Sequence, residues 1–250
     1  MAVALANGTN AFGGLGMRKL ALGVAAALLL GTSLAGTASA QETPVCGPPG
    51  EEVPATIVGA GTISGTSGDD VIVASGGNDV VFAGDGNDIV CGEGGNDRLD
   101  GGRGTDVLAG DQLDSAPFAP SNGSNNDTLL GGPGEDTLVG LGGNDTIEGG
   151  PGTDVLIGMG GVDTIAGGPG DDAANGGPLN DVITGGPDND ELYGNFGSDM
   201  ITGGPGDDVI DGDNPNPIPP EGPPFPPGDN NDTCSGGPGT NTVQNCEITS

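Results

Sequence analysis

The sequence predicts an all-β fold, a right-handed parallel β-roll or β-helix solenoid in which each half-turn takes nine residues. Three observations predict it. A nine-residue unit, GGxGxDxUx with U apolar, repeats from residue 65 to residue 244. Its eighth position is apolar in every unit, so that this side chain points inward while positions seven and nine point outward. Its glycines suit the tight chain reversals that such a stack needs.

The register of the repeat is regular along almost the whole run. Fifteen regular units and two interrupted ones make 17, and position six is aspartate in 16 of them, the last unit having Asn241 instead. Position four is glycine in 13 of the 15 regular units, with Leu179 and Asp188 as the exceptions. Because Ala174, the smallest apolar residue at position eight, precedes them, we expect this stretch to be the weakest part of the stack.

Residues 1–40 are predicted to be a secretory signal peptide. Arg18 and Lys19 form its basic region, an apolar stretch follows, and small residues end it at Ala40, where cleavage is expected. Met17 is an alternative start, and a transmembrane anchor is the alternative reading of the apolar stretch. The sequence therefore predicts a secreted, extracellular protein, expected to be a monomer.

The composition is strongly acidic and poor in core-forming side chains. The chain has 36 acids against four bases, a formal charge of -32, with 55 glycines, five phenylalanines, one tyrosine and no tryptophan. After removal of residues 1–40, which hold two bases and no acid, 36 acids face Arg98 and Arg103 and the charge is -34. A compact state of such a chain needs cations, and the charge argues against nucleic acid and anionic membranes as partners.

The four cysteines all lie in the part expected to be exported. An even number in an oxidising compartment favours two disulfides, for which three pairings exist. Cys234 with Cys246 is the local choice, and it leaves Cys46 to pair with Cys91. A zinc site made of all four thiolates is the alternative, although CxxC spacing is absent.

The aspartates at position six are the candidate metal ligands. Many hard oxygen donors without any histidine favour Ca²⁺ over transition metals, and Mg²⁺ would require a tighter octahedron. Loops two units apart lie on the same side of a stack, so that Asp136 faces Asp154, and an ion between them would complete its shell with loop carbonyls. The candidates are Asp70, Asp79, Asp88, Asp97, Asp106, Asp127, Asp136, Asp145, Asp154, Asp163, Asp172, Asp181, Asp190, Asp199, Asp208 and Asp232.

The repeat run resembles the haemolysin-type calcium-binding, or RTX, repeat family. The resemblance implies a parallel β-roll that holds several Ca²⁺ ions between same-side loops and that depends on the metal to fold. The chain differs from many members in having a leader and in showing no toxin, protease or lipase domain. Two alternatives remain, a metal-free solenoid whose aspartates only cap turns and an acidic disordered chain, the second being our expectation for the calcium-free form.

The ends and the insertions complete the predicted organisation. Residues 41–64 form an N-terminal tail with a degenerate capping unit, the roll spans 65–244, and residues 245–250 form a C-terminal cap. Insertions at about 112–124 and 213–229 begin ten units apart, an even number, so both are expected to leave the same side. They include Phe118 and Phe225 as exposed aromatic candidates for recognition.

Calcium binding is therefore the predicted function. Catalysis is not expected, because the chain has no histidine and its acids belong to the repeat. The alternative is a calcium-stiffened structural or adhesion module that binds a cell-surface or matrix partner through the two insertions.

Overall fold

The computed structural model describes residues 45–46, 53–111, 125–213 and 232–248, and this part of the chain contains strands and turns but no helix, hence none that could span a membrane. The strands are β1 (Val45–Cys46), β2 (Val53–Pro54), β3 (Ile57–Val58), β4 (Thr62–Ser64), β5 (Val71–Ser75), β6 (Val80–Asp85), β7 (Ile89–Glu93), β8 (Arg98–Arg103), β9 (Val107–Ala109), β10 (Thr128–Leu130), β11 (Thr137–Gly142), β12 (Thr146–Glu148), β13 (Val155–Gly160), β14 (Thr164–Ala166), β15 (Ala173–Pro178), β16 (Val182–Thr184), β17 (Glu191–Phe196), β18 (Met200–Thr202), β19 (Val209–Asp211), β20 (Thr233–Ser235), β21 (Thr242–Gln244) and β22 (Glu247–Ile248). The predicted all-β class is confirmed.

Successive strands alternate between two parallel ten-stranded sheets. The even sheet contains β4 to β22 by even numbers, and the odd sheet contains β3 to β21 by odd numbers. Position eight pairs with position eight one coil later, as Leu138 does with Leu156. The first insertion does not shift this register, since Leu99 pairs with Leu129 across it. The result is the parallel β-solenoid that the nine-residue period predicts.

The core is the column of position-eight side chains between the two sheets. In the sixteen units from Ile72 to Cys234 these side chains are at most 2% exposed, and one continuous cluster contains them all. Ala174 keeps its place in the column although it fills less space than the leucines and isoleucines around it. One apolar side chain per strand thus suffices to close the stack.

Each end of the described roll carries a disulfide. Cys46 in β1 is bonded to Cys91, and a second apolar cluster forms there with Val73 and Ala109 on the outer face of the odd sheet. At the other end, Cys234 of the core column is bonded to Cys246. Both pairings are those that the sequence favoured.

Both insertions interrupt the passage from the odd sheet to the even sheet. The first lies between β9 and β10 and the second between β19 and β20. The strands that border the two insertions therefore occupy equivalent places in the two sheets, as the ten-unit interval predicts, and the five strand steps from β9 to β19 separate these places by ~24 Å. Residues 1–40, the stretches 112–124 and 214–231, and the predicted recognition residues Phe118 and Phe225 lie outside the described residues.

Candidate metal centre

The sixteen position-six aspartates lie in the turns that precede the strands, and all are buried. Their exposed fractions range from 0% to 7%. Burying a carboxylate is unfavourable unless hydrogen bonds or a counter-charge compensate for the lost hydration. The partners of both carboxylate oxygens therefore decide what these residues do.

In every position-six aspartate except Asp70, one oxygen accepts a backbone N–H bond from the preceding coil, and these bonds form a ladder that runs along the roll. The backbone N–H of Asp127 donates to Oδ1 of Asp145 at 2.8 Å, and the N–H of Asp145 donates to Oδ1 of Asp163 at 2.8 Å. The pairs expected from the 18-residue spacing, including Asp136 with Asp154, are thus joined by an N–H to carboxylate bond. This ladder fixes the orientation of the carboxyl groups that accept its bonds.

The second oxygen, Oδ2, is buried without a hydrogen-bond partner within the described part of the chain in fourteen of the sixteen aspartates. These oxygens cannot be donors when ionised, so that only a cation, a water molecule or a proton would satisfy them. The fourteen residues are Asp88, Asp97, Asp106, Asp127, Asp136, Asp145, Asp154, Asp163, Asp172, Asp181, Asp190, Asp199, Asp208 and Asp232.

Glycine at position one leaves open the space that Oδ2 faces. A Cβ on Gly149 would lie 2.5 Å from Oδ2 of Asp154 and 2.8 Å from the carbonyl oxygen of Gly167, the position-one residue of the next same-side loop. A carboxylate oxygen and a carbonyl oxygen therefore converge on one point, and both are acceptors. Such a convergence fits a cation with a preference for oxygen ligands.

Burial raises the pKa of these carboxyl groups, because it disfavours their charged form. The pKa of Asp181 rises to about 9, and those of Asp145 and Asp172 rise to about 8. Neighbouring aspartates of the ladder raise these pKa values further, whereas the backbone N–H bond to each carboxylate lowers them. A bound cation would remove both unfavourable effects, since it favours the ionised form.

The stretch from Ala174 to Asp190, which the sequence predicts to be the weakest, has the same carboxylate arrangement as the other units. Asp181 and Asp190 accept N–H bonds at 2.8 and 3.0 Å, and both retain a partnerless Oδ2. Leu179 and Asp188 take the left-handed backbone conformation that glycine favours, with φ of 82° and 86°. The missing glycines therefore appear as backbone strain, typically ~1–3 kcal/mol per residue, rather than as a changed carboxylate arrangement.

The first two units differ from the others in a way that sequence reasoning missed. Oδ2 of Asp70 accepts bonds from the N–H and hydroxyl of Thr66 at 2.7 and 2.8 Å. Oδ2 of Asp79 accepts the same two bonds from Ser75 at 2.9 and 2.8 Å. The signal was a hydroxyl residue at position two. At these two predicted ligands the protein itself supplies the donors.

The last unit also satisfies its position-six side chain internally. Oδ1 of Asn241 accepts the ladder bond from the N–H of Asp208 at 2.8 Å, while Nδ2 donates to the carbonyl oxygen of Gly237 at 3.0 Å. The amide thus contacts a loop carbonyl directly. An ionised aspartate at this position would need a cation between its carboxylate and that carbonyl.

No group of three or more histidine, cysteine, aspartate or glutamate side chains is placed to hold a metal ion within the described ranges. An ion at the turns would therefore draw most of its shell from loop carbonyls, with carboxylates from neighbouring coils contributing charge. That is a donor set for a hard cation with a flexible coordination sphere.

Comparison with known protein families gives one matching description, the RTX calcium-binding nonapeptide repeat (4 copies). Its matches cover residues 58–90, 92–113, 121–156, 148–183 and 184–214. Comparison with curated proteins found no matching relative. The matched stretches include every position-six aspartate from Asp70 to Asp208, whereas Asp232 and Asn241 lie beyond the last match.

Proposed function

Because the chain belongs to the RTX calcium-binding nonapeptide repeat family, we propose that the turns containing Asp88 to Asp232 bind Ca²⁺ through position-six carboxylates and loop carbonyls. The observation that carries this proposal is the set of fourteen buried Oδ2 atoms without a partner. Native proteins rarely leave so many buried acceptors unsatisfied. One cation per turn would satisfy them.

The donor set favours calcium among the common metals. The chain has no histidine, and its described cysteines are in disulfides, so nitrogen and thiolate ligands for a transition metal are lacking. Mg²⁺ retains several waters and requires near-ideal octahedral geometry. A turn built from backbone carbonyls and one or two carboxylates instead fits the larger and more variable shell of Ca²⁺.

Metal binding is proposed to be coupled to folding. A chain with a formal charge of -34 after loss of residues 1–40 repels itself, and its folded form buries a carboxylate every nine residues. The raised pKa values of these groups indicate that burial of the charged form opposes folding at neutral pH. Bound calcium would make the buried, ionised carboxylates favour the folded state instead of opposing it.

The experiment is circular dichroism of the purified mature chain in chelator, followed by titration with Ca²⁺. We expect a disordered spectrum in chelator and a β spectrum in calcium at about 10⁻⁴ to 10⁻³ M, the range of extracellular modules. Mg²⁺ at equal concentration serves as the control and should not restore the spectrum. A β spectrum that is the same with and without calcium would exclude coupled folding.

We place the protein outside the cell and assign it a structural rather than a catalytic role. The leader-like residues 1–40 and the two disulfides support secretion. A second candidate function, adhesion to a cell-surface or matrix partner, is supported by the exit of both insertions from the same side. Replacing each insertion by a glycine–serine linker of equal length should abolish calcium-dependent binding to cell walls. Equal binding would dismiss the insertions as the contact surface.

A further inference from the structure

The base of the second insertion holds a carboxyl pair. Asp213 is at position two of the sixteenth unit and Asp232 is at position six of the same unit, so the two residues flank the insertion. Their side chains lie within hydrogen-bonding distance of each other. Asp232 is 1% exposed. Oδ1 of Asp213 and Oδ2 of Asp232 are buried and have no partner among the described residues.

Two ionised carboxylates do not stay in contact inside a protein unless a cation or a shared proton lies between them. Asp199 adds to the negative charge, because the N–H of Asp199 donates to Oδ1 of Asp232 at 2.8 Å and its own carboxylate lies near. The free oxygens of Asp213 and Asp232 thus face a strongly negative, buried space.

The first insertion has an aspartate at the same position but satisfies it differently. Oδ1 of Asp111 accepts a bond from Nδ2 of Asn125 at 2.6 Å, and the backbone N–H of Gly142 also donates to this carboxylate. Asp111 therefore has donors from the protein, whereas Asp213 has another carboxylate as its neighbour. The two insertions leave the same side of the roll with different chemistry at their bases.

We propose that Asp213 and Asp232 together form a calcium site that binds more tightly than the repeat sites and fills first. The inference rests on the proposed calcium function and identifies Asp213 as a ligand outside position six. Calcium affinity rises with the number of carboxylates in the shell. Each of the other described units from Asp88 to Asp208 supplies one carboxylate with a buried, partnerless oxygen, and this unit supplies two.

The test is calcium titration against a competing chelator dye, comparing the intact mature chain with Asp213→Asn and Asp211→Asn. Asp211 is the matched control, because it lies two residues away, is partly exposed and accepts its bond from Asn245 at 2.7 Å. We expect one site about tenfold tighter than the rest in the intact chain and in Asp211→Asn, and its loss in Asp213→Asn.

Circular dichroism in saturating calcium checks that each variant folds. If both variants lose the tight site equally, the tight binding comes from the general negative charge of this region. If the intact chain shows no tight site, the carboxyl pair is held together by a shared proton. Either result overturns the inference while leaving the repeat sites standing. If instead the intact chain binds no calcium, the proposed function itself fails.

Discussion

The middle of the roll and its two ends have the same repeat but treat position six differently. From Asp88 to Asp232 every position-six carboxylate keeps one buried oxygen without a partner. At the N-terminal end, Thr66 and Ser75 donate to the corresponding oxygens, and at the C-terminal end Asn241 replaces the charge by an amide. Aspartate at position six therefore does not by itself define a metal site, because the groups around its second oxygen determine whether a cation is needed.

The ends are also where the covalent crosslinks lie. Cys46–Cys91 attaches β1 to the odd sheet in the first coils, and Cys234–Cys246 closes the last ones. A solenoid needs protected ends, because its terminal strands have no neighbour on one side. Here hydroxyls, an amide and disulfides stabilise the ends without a metal, whereas under the proposed function the middle would depend on cations for the same purpose.

Removal of calcium is the change that should separate the two regions most. In chelator at about pH 8, we expect the amides of β5 and β6 to exchange at least about tenfold more slowly than those of β11 to β15, because only the carboxylates before β5 and β6 keep internal partners for their second oxygen. Hydrogen exchange with mass spectrometry measures this, and saturating calcium should remove the difference. Equal exchange in both regions would show that the end caps do not replace the metal.

The stability of the metal-free fold should depend on pH mainly through the buried aspartates in the middle of the roll. Burial raises the pKa of Asp97 to about 6, Asp145 to about 8 and Asp181 to about 9, above the value of about 3.9 for an unfolded aspartate. Protonated carboxyls thus favour the fold. Their contribution is complete below about pH 4 and is lost as the pH rises through about 6 to 9.

Protein freed of metal on a chelating resin should therefore gain β signal as the pH falls from about 9 to about 5, measured by circular dichroism in dilute solution. With calcium the trend reverses, because the ligands must be deprotonated to bind. A metal-free chain that is more ordered at high pH would contradict the assignment of buried, partnerless carboxylates.

The sequence predicted the coil better than the site. A strict period determines the strand pairing, the Leu138–Leu156 register and the side on which the insertions leave, because these depend only on spacing. The partner of a single oxygen depends instead on side-chain rotamers and on which turn atoms face it. The caps from Thr66 and Ser75, and the carboxyl contact of Asp213, therefore became visible only in three dimensions.

Substitution of one aspartate in each region tests the comparison at a single site. Asp145→Asn removes a charge whose Oδ2 has no partner, whereas Asp79→Asn removes one whose Oδ2 already accepts two bonds from Ser75. We expect Asp145→Asn to bind at least one calcium ion fewer and to lose ~1–3 kcal/mol of unfolding free energy in saturating calcium. Asp79→Asn should bind as many ions as the unchanged chain.

Equilibrium dialysis counts the ions, and urea unfolding in calcium gives the free energies. A smaller loss of stability is also expected in Asp79→Asn, because its bonds from Ser75 weaken, but that loss should not change with calcium concentration. If both variants lose the same number of ions, Asp70 and Asp79 are ligands after all, and the distinction between the ends and the middle does not hold.

The smallest change that tests the comparison is a single methyl group. In Gly149→Ala, the new Cβ would lie 2.5 Å from Oδ2 of Asp154 and 2.8 Å from the carbonyl oxygen of Gly167, the point where we place the cation. We expect weaker calcium binding and a loss of ~1–3 kcal/mol of unfolding free energy in calcium.

Gly76→Ala is the matched control, because no described atom outside its chain neighbours lies within 4 Å of its Cβ position, and its effect should stay within about 0.5 kcal/mol. Since Ala83 stands at position one of the third unit without disturbing the strand register, the Gly149 variant should still fold. By the same reasoning, the turn of Asp88 should bind Ca²⁺ more weakly than turns with glycine at position one. Unchanged calcium affinity in Gly149→Ala would move the ion away from the space above position one.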